Sequence, residues 1–383
     1  MKWQTKKLGE VISYRKTKNT QTNLPYVGME DIESKTGRFI GSLSPKSVKS
    51  STFYFDKSHV LFGRLRPYLN KILLPDFEGH CSTEIFPIKP DELLDKKFLY
   101  YWLTSESIIE KINATSTGTR MPRANMNNVL DFEINFPSIS EQKRIVKILD
   151  EVFEGIEKAK KNTEKNLQNA KELFESYLQS VFANPGNDWR NCLLNDYVNF
   201  IDYRGRTPKK TKSGLRLITA KNIKMGYLQR EPEEFINPQD YETWMTRGIP
   251  NIGDVLFTTE APLGNVAQLD TDARVAFAQR TIIFKPDTTK LTQTFLKYLV
   301  MSPQFQKKIN EKGTGATVKG IKASLLKKIP ISFPSISEQK SIVAKLDALS
   351  EQTKKLESIY QQKLDALEEL KKSVLALAFA GEL

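Results

Sequence analysis

A chain of 383 residues with 39% hydrophobic side chains has ordinary core-forming composition and length for two or three domains of about 150 residues each. With no apolar run of 18 residues and no charged-then-apolar leader, neither a membrane span nor a secretory signal is expected. Two cysteines, Cys81 and Cys192, exclude a disulfide framework and fit free thiols in a reducing cytoplasm, while a net charge of +13 points to a polyanionic partner.

In chain order, residues 1–137 form the first block and carry +5. Short Val/Ile/Leu/Phe/Tyr runs between Gly, Pro and Asn clusters predict strands, with a helix near 96–112, hence a compact α+β domain. Two stretches hold groups suited to nucleic acid. "FGRLRPYLNK" supplies Arg64, Arg66, Asn70 and Lys71 in a loop after a strand, and "TGTRMPRANMNN" supplies Arg120, Arg123, Asn125 and Asn127. Arg suits guanine edges, Asn suits adenine, and Lys suits phosphate.

Residues 138–182 follow, with no net charge. Ile145, Leu149, Val152, Ile156 and Ala159 recur at alternating spacings of 4 and 3, which places one apolar seam along a helix. The phase then shifts to Leu167, Ala170, Phe174, Tyr177 and Val181, as in a stutter. Ser138 and Glu141 have the spacing of a capping box, and Pro137 stops the preceding strand.

Residues 183–334 carry +9 and repeat the frame of the first block in weak but ordered matches. "WQTKKLGEVI" answers "WRNCLLNDYV", "HVLFGRLRPYLNKILL" answers "DVLFTTEAPLGNVAQL", "IFPIKP" answers "TIIFKP", and "TGT" answers "TGA". Its helix is expected near 292–312. The basic candidates are Arg204, Arg206, Lys209 and Lys210 in "DYRGRTPKKTKSG", then Lys221, Asn222, Arg280, Lys319 and Lys322. Lys212 belongs to the same cluster, and Tyr26, Tyr68, Tyr203 and Tyr227 are candidates to lean on sugars or bases. Taken singly, each of these is also readable as a solvated surface group; the clustering in the only basic blocks favours a polyanion site. Glu260, which stands in "FTTEAPLGN" where the first block has "FGRLRPYLN", is either an acceptor for a cytosine amino group or a surface acid.

The last block, 335–383, carries −1 and restates the first helix. "FPSISEQK" at 136–143 stands again at 333–340, and the match extends to twelve identities in the fifteen positions 136–150. Ser335 and Glu338 repeat the capping spacing, and Ile342, Leu346, Leu349, Thr353, Leu356 and Tyr360 repeat the seam, with a shift to Leu364 and Leu367. Helices of this length, roughly 60–68 Å at about 1.5 Å per residue, need partners for their seams, and an antiparallel pair is expected. The alternative is that each helix packs only on its own block. "AFAGEL" at the end corresponds to "VFANPG" at 181–186, so the pattern is close to circular.

Catalytic constellations are not recognisable. Two histidines, His59 and His80, and no C-x-x-C argue against zinc, and neither a Walker A nor a G-x-G-x-x-G motif occurs. The amino-methyltransferase signature of Asn or Asp, two prolines and an aromatic residue is also missing. Pro75-Asp76 or Pro286-Asp287 with Glu141-Gln142-Lys143 imitates a nuclease pattern, but Glu141 is assigned to the helix cap. A coiled-coil scaffold with non-specific nucleic-acid binding is the competing reading; it accounts for the helices but not for charge confined to the globular blocks.

The layout resembles the specificity (S) subunits of type I restriction–modification systems, through "FPSISEQKRIVKILD", "FPSISEQKSIVAKLD", "AFAGEL", "RGRTPKK" and "FGRLRPYLNK" over the full chain. The resemblance implies target recognition domains at 1–137 and 183–334, and spacer helices at 138–182 and 335–383. These would form an α+β protein whose two domains are separated by an antiparallel coiled coil in a pseudo-twofold repeat. It further implies a non-catalytic, cytoplasmic subunit that reads the two halves of an asymmetric target in double-stranded DNA. The helices would fix the gap and dock two methyltransferase (M) subunits, with restriction (R) subunits able to join. No cofactor is expected in this chain; S-adenosylmethionine, ATP and Mg are expected on the partners.

Overall fold

The computed structural model describes residues 3–14, 18, 23–203, 205, 207–315 and 319–383. The chain divides into two compact units, Met1–Glu164 with Gln361–Leu383, and Lys165–Tyr360. The division cuts through both long helices, Ile139–Ala183 and Ile336–Ala380, so each unit is one α+β domain plus a segment of each helix.

In the first unit, an antiparallel sheet runs in the order Ile12–Ser13, Ile85–Pro90, Val60–Gly63, Ile72–Leu73. Val60, Leu61 and Phe62 are all buried, as expected of a central strand covered on both faces. A second sheet pairs Gly79–Ser82 with Tyr26–Val27 in parallel and with Thr52–Phe55 antiparallel. Gln4–Lys7 lies antiparallel to Glu133–Phe136 with Gln4 opposite Phe136, so the start of the domain is tied to the residues that lead into the long helix.

The second unit repeats this plan. Its main sheet runs Val198–Asp202, Thr281–Pro286, Val255–Thr259, Leu263–Gln268, and Arg190–Leu193 pairs antiparallel with Pro330–Phe333. Lys210–Thr211, Phe235–Ile236, Leu215–Ile218 and Ala276–Phe277 form the other sheet.

The helix expected at 96–112 is two helices, Lys96–Thr104 and Glu106–Ala114, and that at 292–312 is Gln293–Met301 and Pro303–Lys312. Ser105 and Ser302 interrupt them with extended backbone, ψ 143° and 142°, and each hydroxyl donates to a carbonyl three residues back, Trp102 O or Leu299 O. A short polar side chain that bonds its own backbone favours such a break.

The repeated helix start works differently from a capping box. Ser138 Oγ faces Ser140 Oγ, and the Glu141 carboxylate accepts from Arg144 rather than from the Ser138 backbone. In the second copy Ser335 Oγ accepts weakly from Glu338 N at 3.4 Å, while the Glu338 carboxylate accepts from Trp189 Nε1. The repeat is instead explained by the next residue, glutamine. Gln142 is fully buried; its Oε1 accepts from Asp95 N, and its Nε2 donates to Leu93 O and Pro137 O. Gln339 does the same with Thr292 N, Lys290 O and Pro334 O. Two turns further on, Asp150 accepts from Tyr101 OH and Lys97 Nζ, and Asp347 accepts from Tyr298 OH. Burial, reinforced by these carboxylates, pushes both tyrosine pKa values well above the usual phenol range.

Within the first unit the helical segments run antiparallel: Arg144 donates to Leu383 O and Lys160 pairs with Glu368 at 2.7 Å. In the second unit Leu178 packs with Leu346 and Tyr298. The phase shifts fall on threonines. Ala159, Thr163 and Leu167 follow at two successive spacings of four, and so do Leu349, Thr353 and Glu357. Thr163 and Thr353 are buried, and each Oγ1 donates to the carbonyl four residues back. The expected seam position Leu356 is instead 37% exposed, with Glu357 turned partly inward.

Each unit closes on an aromatic trio: Trp3, Phe98 and Phe379 in the first, Trp189, Phe295 and Phe182 in the second. The second spacer helix ends with Gly381 at φ +80° and Glu382 N bonded to Leu377 O, a Schellman closure that sets Gly381 against the Trp3 ring.

Candidate nucleic-acid interface

The basic loops of the first domain meet at one junction. The strand Val60–Gly63 delivers Arg64, whose N donates to Glu84 O at 3.0 Å. Arg66 then adopts the left-handed region at φ +52° ahead of Pro67, and its N donates to Pro122 O at 2.7 Å. Non-glycine residues held there are costly, of order 1–3 kcal/mol, and persist where the surroundings enforce them. The second loop closes back through Ala124 N to Arg64 O, 2.9 Å, and through the paired bonds of Thr117 with Arg123.

Side chains divide sharply at this junction. Glu84 accepts from Arg64 Nε at 3.0 Å and from Arg123, whose Nε and Nη2 both approach at 3.0 Å. Arg64 also lies over the Phe86 ring. Arg66 and Arg120 are exposed, with no hydrogen-bonding partner among the described residues. Asn70, left-handed at φ +47°, donates Nδ2 to Thr104 O, and Lys71 Nζ donates to Met29 O at 2.6 Å. Asn125 is half-buried, its Oδ1 capping Met126–Leu130 through Asn127 N. These three side chains therefore hold the loops.

In the second domain, Lys209, Lys319 and Lys322 are exposed. Lys210 pairs with Glu234 at 2.7 Å, and Lys221 stands 4.0 Å from the same carboxylate. Arg280, at φ +73°, forms an ion pair with Glu260, Nε lying 3.1 Å from Oε1. Asn222 leaves the candidate set: it is 1% exposed, its Oδ1 accepts from Thr219 N and Oγ1, and its Nδ2 donates to Gln229, Arg230 and Pro232 carbonyls. Its amide organises a buried turn and has nothing left for a base. Arg204 and Arg206 lie outside the described residues.

Among the tyrosines, Tyr68 and Tyr227 are half exposed, at 50% and 53%. Tyr203 is buried with its OH on Gly248 O, and Tyr26 is half-buried against His80, its pKa raised by burial. His80 is itself buried between Thr52 Oγ1 and Lys46 O, and His59 sits on Asp56. Both cysteines are free, and burial lifts the Cys192 thiol to about 11 and Cys81 higher still.

Sequence reasoning missed Glu84, the acid on which two candidate arginines converge. A signal was available: the ordered match of "IFPIKP" with "TIIFKP" sets Glu84 opposite Arg280.

Comparison with known proteins adds a family. The model of the type I restriction modification DNA specificity domain matches residues 1–165 and 187–368. The type I restriction enzyme MjaVIII specificity subunit of Methanocaldococcus jannaschii is 25% identical over 322 residues, covering 79% of this chain and 73% of that protein. A solved chain from work on complex assembly and conformational transition of the type I R-M system matches with TM-score 0.82 and 24% identity, covering 100% of this chain and 98% of that one. The crystal structure of the HsdS subunit from Thermoanaerobacter tengcongensis matches with TM-score 0.66 and 24% identity, over 100% and 97% of the two chains. These structural matches establish the shared fold.

Proposed function

The chain belongs to the type I restriction–modification DNA specificity family, a DNA-recognition family rather than a methyltransferase one, and on that membership we propose that it reads an asymmetric, two-part DNA target and directs modification to it. Each α+β domain takes one half-site. The spacer helices set the unspecified gap and dock two methyltransferase subunits, which bring S-adenosylmethionine, and restriction subunits join with ATP and Mg for cleavage. The work is cytoplasmic, where the chromosome is; no described helix is long and apolar enough to cross a membrane.

One observation carries this reading. The same backbone junction occurs in both domains, yet it presents Arg64, Leu65 and Arg66 in one and Thr259, Glu260 and Ala261 in the other. One scaffold with two sets of reading groups fits two different half-sites, and two recognition units in one chain fit half-sites at fixed separation.

The test is genome-wide methylation mapping in a host given this chain with its M subunit, against M alone. A split, asymmetric adenine-methylated motif that requires this chain is the expected result. Absence of any new motif, with M shown to be active, would favour a coiled-coil scaffold with non-specific nucleic-acid binding.

A further inference from the structure

The two reading junctions share a set of backbone hydrogen bonds and bridges but carry different charged groups. Arg64 N donates to Glu84 O, and correspondingly Thr259 N donates to Arg280 O at 2.9 Å. Ala124 N donates to Arg64 O, and Ile321 N donates to Thr259 O at 3.0 Å. The bridge of Leu65 with Arg123 recurs as Glu260 with Gly320, and that of Thr117 with Arg123 recurs as Thr314 with Gly320. Arg66 and Ala261 share the left-handed backbone before proline, at φ +52° and +47°.

On this common frame the central position is an acid in the first domain, Glu84, and a base in the second, Arg280. The flanking positions differ as well: Arg64 and Arg123 converge on Glu84, whereas Thr259 and Gly320 stand where Arg64 and Arg123 do, and Glu260, at the position of Leu65, meets Arg280. Without the Arg123 side chain, the second junction opens into a cavity of about 370 Å³ lined by Thr259, Glu260, Gln279, Arg280 and Lys322.

In both pairs the contact uses one edge of the reading group and leaves the other free. Arg64 meets Glu84 through Nε, so its two terminal nitrogens have no hydrogen-bonding partner among the described residues. A guanidinium held in this way offers a fork of donors that matches O6 and N7 of guanine. Glu260, which lines the cavity, meets Arg280 through Oε1, leaving Oε2 as an acceptor, and a carboxylate oxygen accepts from a base amino group.

We propose that this junction sets base choice in each domain: Arg64, buttressed by Glu84, selects a guanine, and Glu260, buttressed by Arg280, selects a base that presents an exocyclic amino group, cytosine or adenine. Glu84 and Arg280 are positioning residues, and Arg64 and Glu260 are the specificity-determining groups. The proposal rests on the two-half-site reading above.

Methylation mapping with the full chain and its M subunit tests it in Glu84→Gln, Glu84→Asp, Glu260→Gln and the exchanged pair E260R/R280E. Glu84→Gln is expected to lower the preference for guanine at one position of one half-site, roughly 5- to 150-fold, and Glu84→Asp is expected to restore it in part. Glu260→Gln is expected to relax one position of the other half-site, and whether cytosine or adenine is lost there identifies the amino group. The exchanged pair is expected to keep thermal stability while altering that position, which a purely structural ion pair would not do. A wild-type motif that survives unchanged in Glu84→Gln and Glu260→Gln would overturn the junction proposal alone. So would an exchanged pair with the original motif. No split motif with the wild-type chain would overturn the two-half-site reading and this proposal with it.

Discussion

At the scale of single residues, the most consequential side chains are buried polar ones whose value is geometric. Gln142 and Gln339 each satisfy one backbone N–H and two carbonyls at the point where a long helix leaves its domain. Removing either leaves three backbone groups at a part-buried junction without their side-chain partner. Gln142→Ala and Gln339→Ala are each expected to lower stability by about 2–4 kcal/mol, read by denaturant unfolding. Tyr101 and Tyr298 make a pH prediction. Their folded pKa values are raised by burial and then by Asp150 and Asp347, so the stability they contribute is whole below the unfolded value near pH 10 and falls as pH rises through the folded values. The Tyr101→Phe and Tyr298→Phe chains should be less stable at pH 7 by about 1–2 kcal/mol each and should lose less stability above pH 10. Equal losses above pH 10 in the variants and the wild type would contradict the assignment.

At the scale of elements, the repeated helix start was legible as a start, since a proline, a serine and then a helical rhythm announce one. Which side chain anchors it was not legible, because a glutamine four residues in has no periodic signature, and only the approach of 93–95 and 290–292 gives it partners. The seams were legible from apolar spacing except where a stutter makes two phases compete. Leu356 is the better hydrophobe, but continuity with Thr353 and Tyr360 turns Glu357 inward. Leu356→Lys is accordingly expected to change stability by no more than about 0.5 kcal/mol, whereas Leu346→Ala, at a fully buried position, should cost about 2–5 kcal/mol. Thermal unfolding of the two variants side by side distinguishes the seams. The helices expected at 96–112 and 292–312 were each found broken at a serine, since composition favours helix on both sides and only the local side-chain bond of Ser105 or Ser302 favours the break.

At the scale of the whole molecule, duplication is the organising fact, and it yields a length prediction. Seven residues inserted into each spacer helix, after Glu164 and after Tyr360, add about 10 Å per helix at about 1.5 Å per residue. With the helices acting as the ruler, the unspecified gap should widen by about three base pairs at about 3.4 Å each, with both half-sites unchanged in the methylation map. Replacing residues 1–137 with the corresponding block of a relative should change one half-site only; a change in both would defeat the modular reading.

The amino-acid sequence by itself determined the duplicated plan, the long helices and the confinement of positive charge to two blocks, because periodicity, repetition and composition are properties of order along a chain. The tertiary structure decided which of the basic and amide side chains are free to meet DNA. Asn222 vanished into a turn, Asn70, Lys71 and Asn125 were drawn into holding loops, and Arg64, Arg123 and Arg280 were fastened to carboxylates. A charge or an amide acts through its unengaged hydrogen-bonding capacity. In the first junction that capacity is set by Glu84, 20 residues from Arg64 and 39 from Arg123 along the chain, which folding brings within 3.0 Å of both.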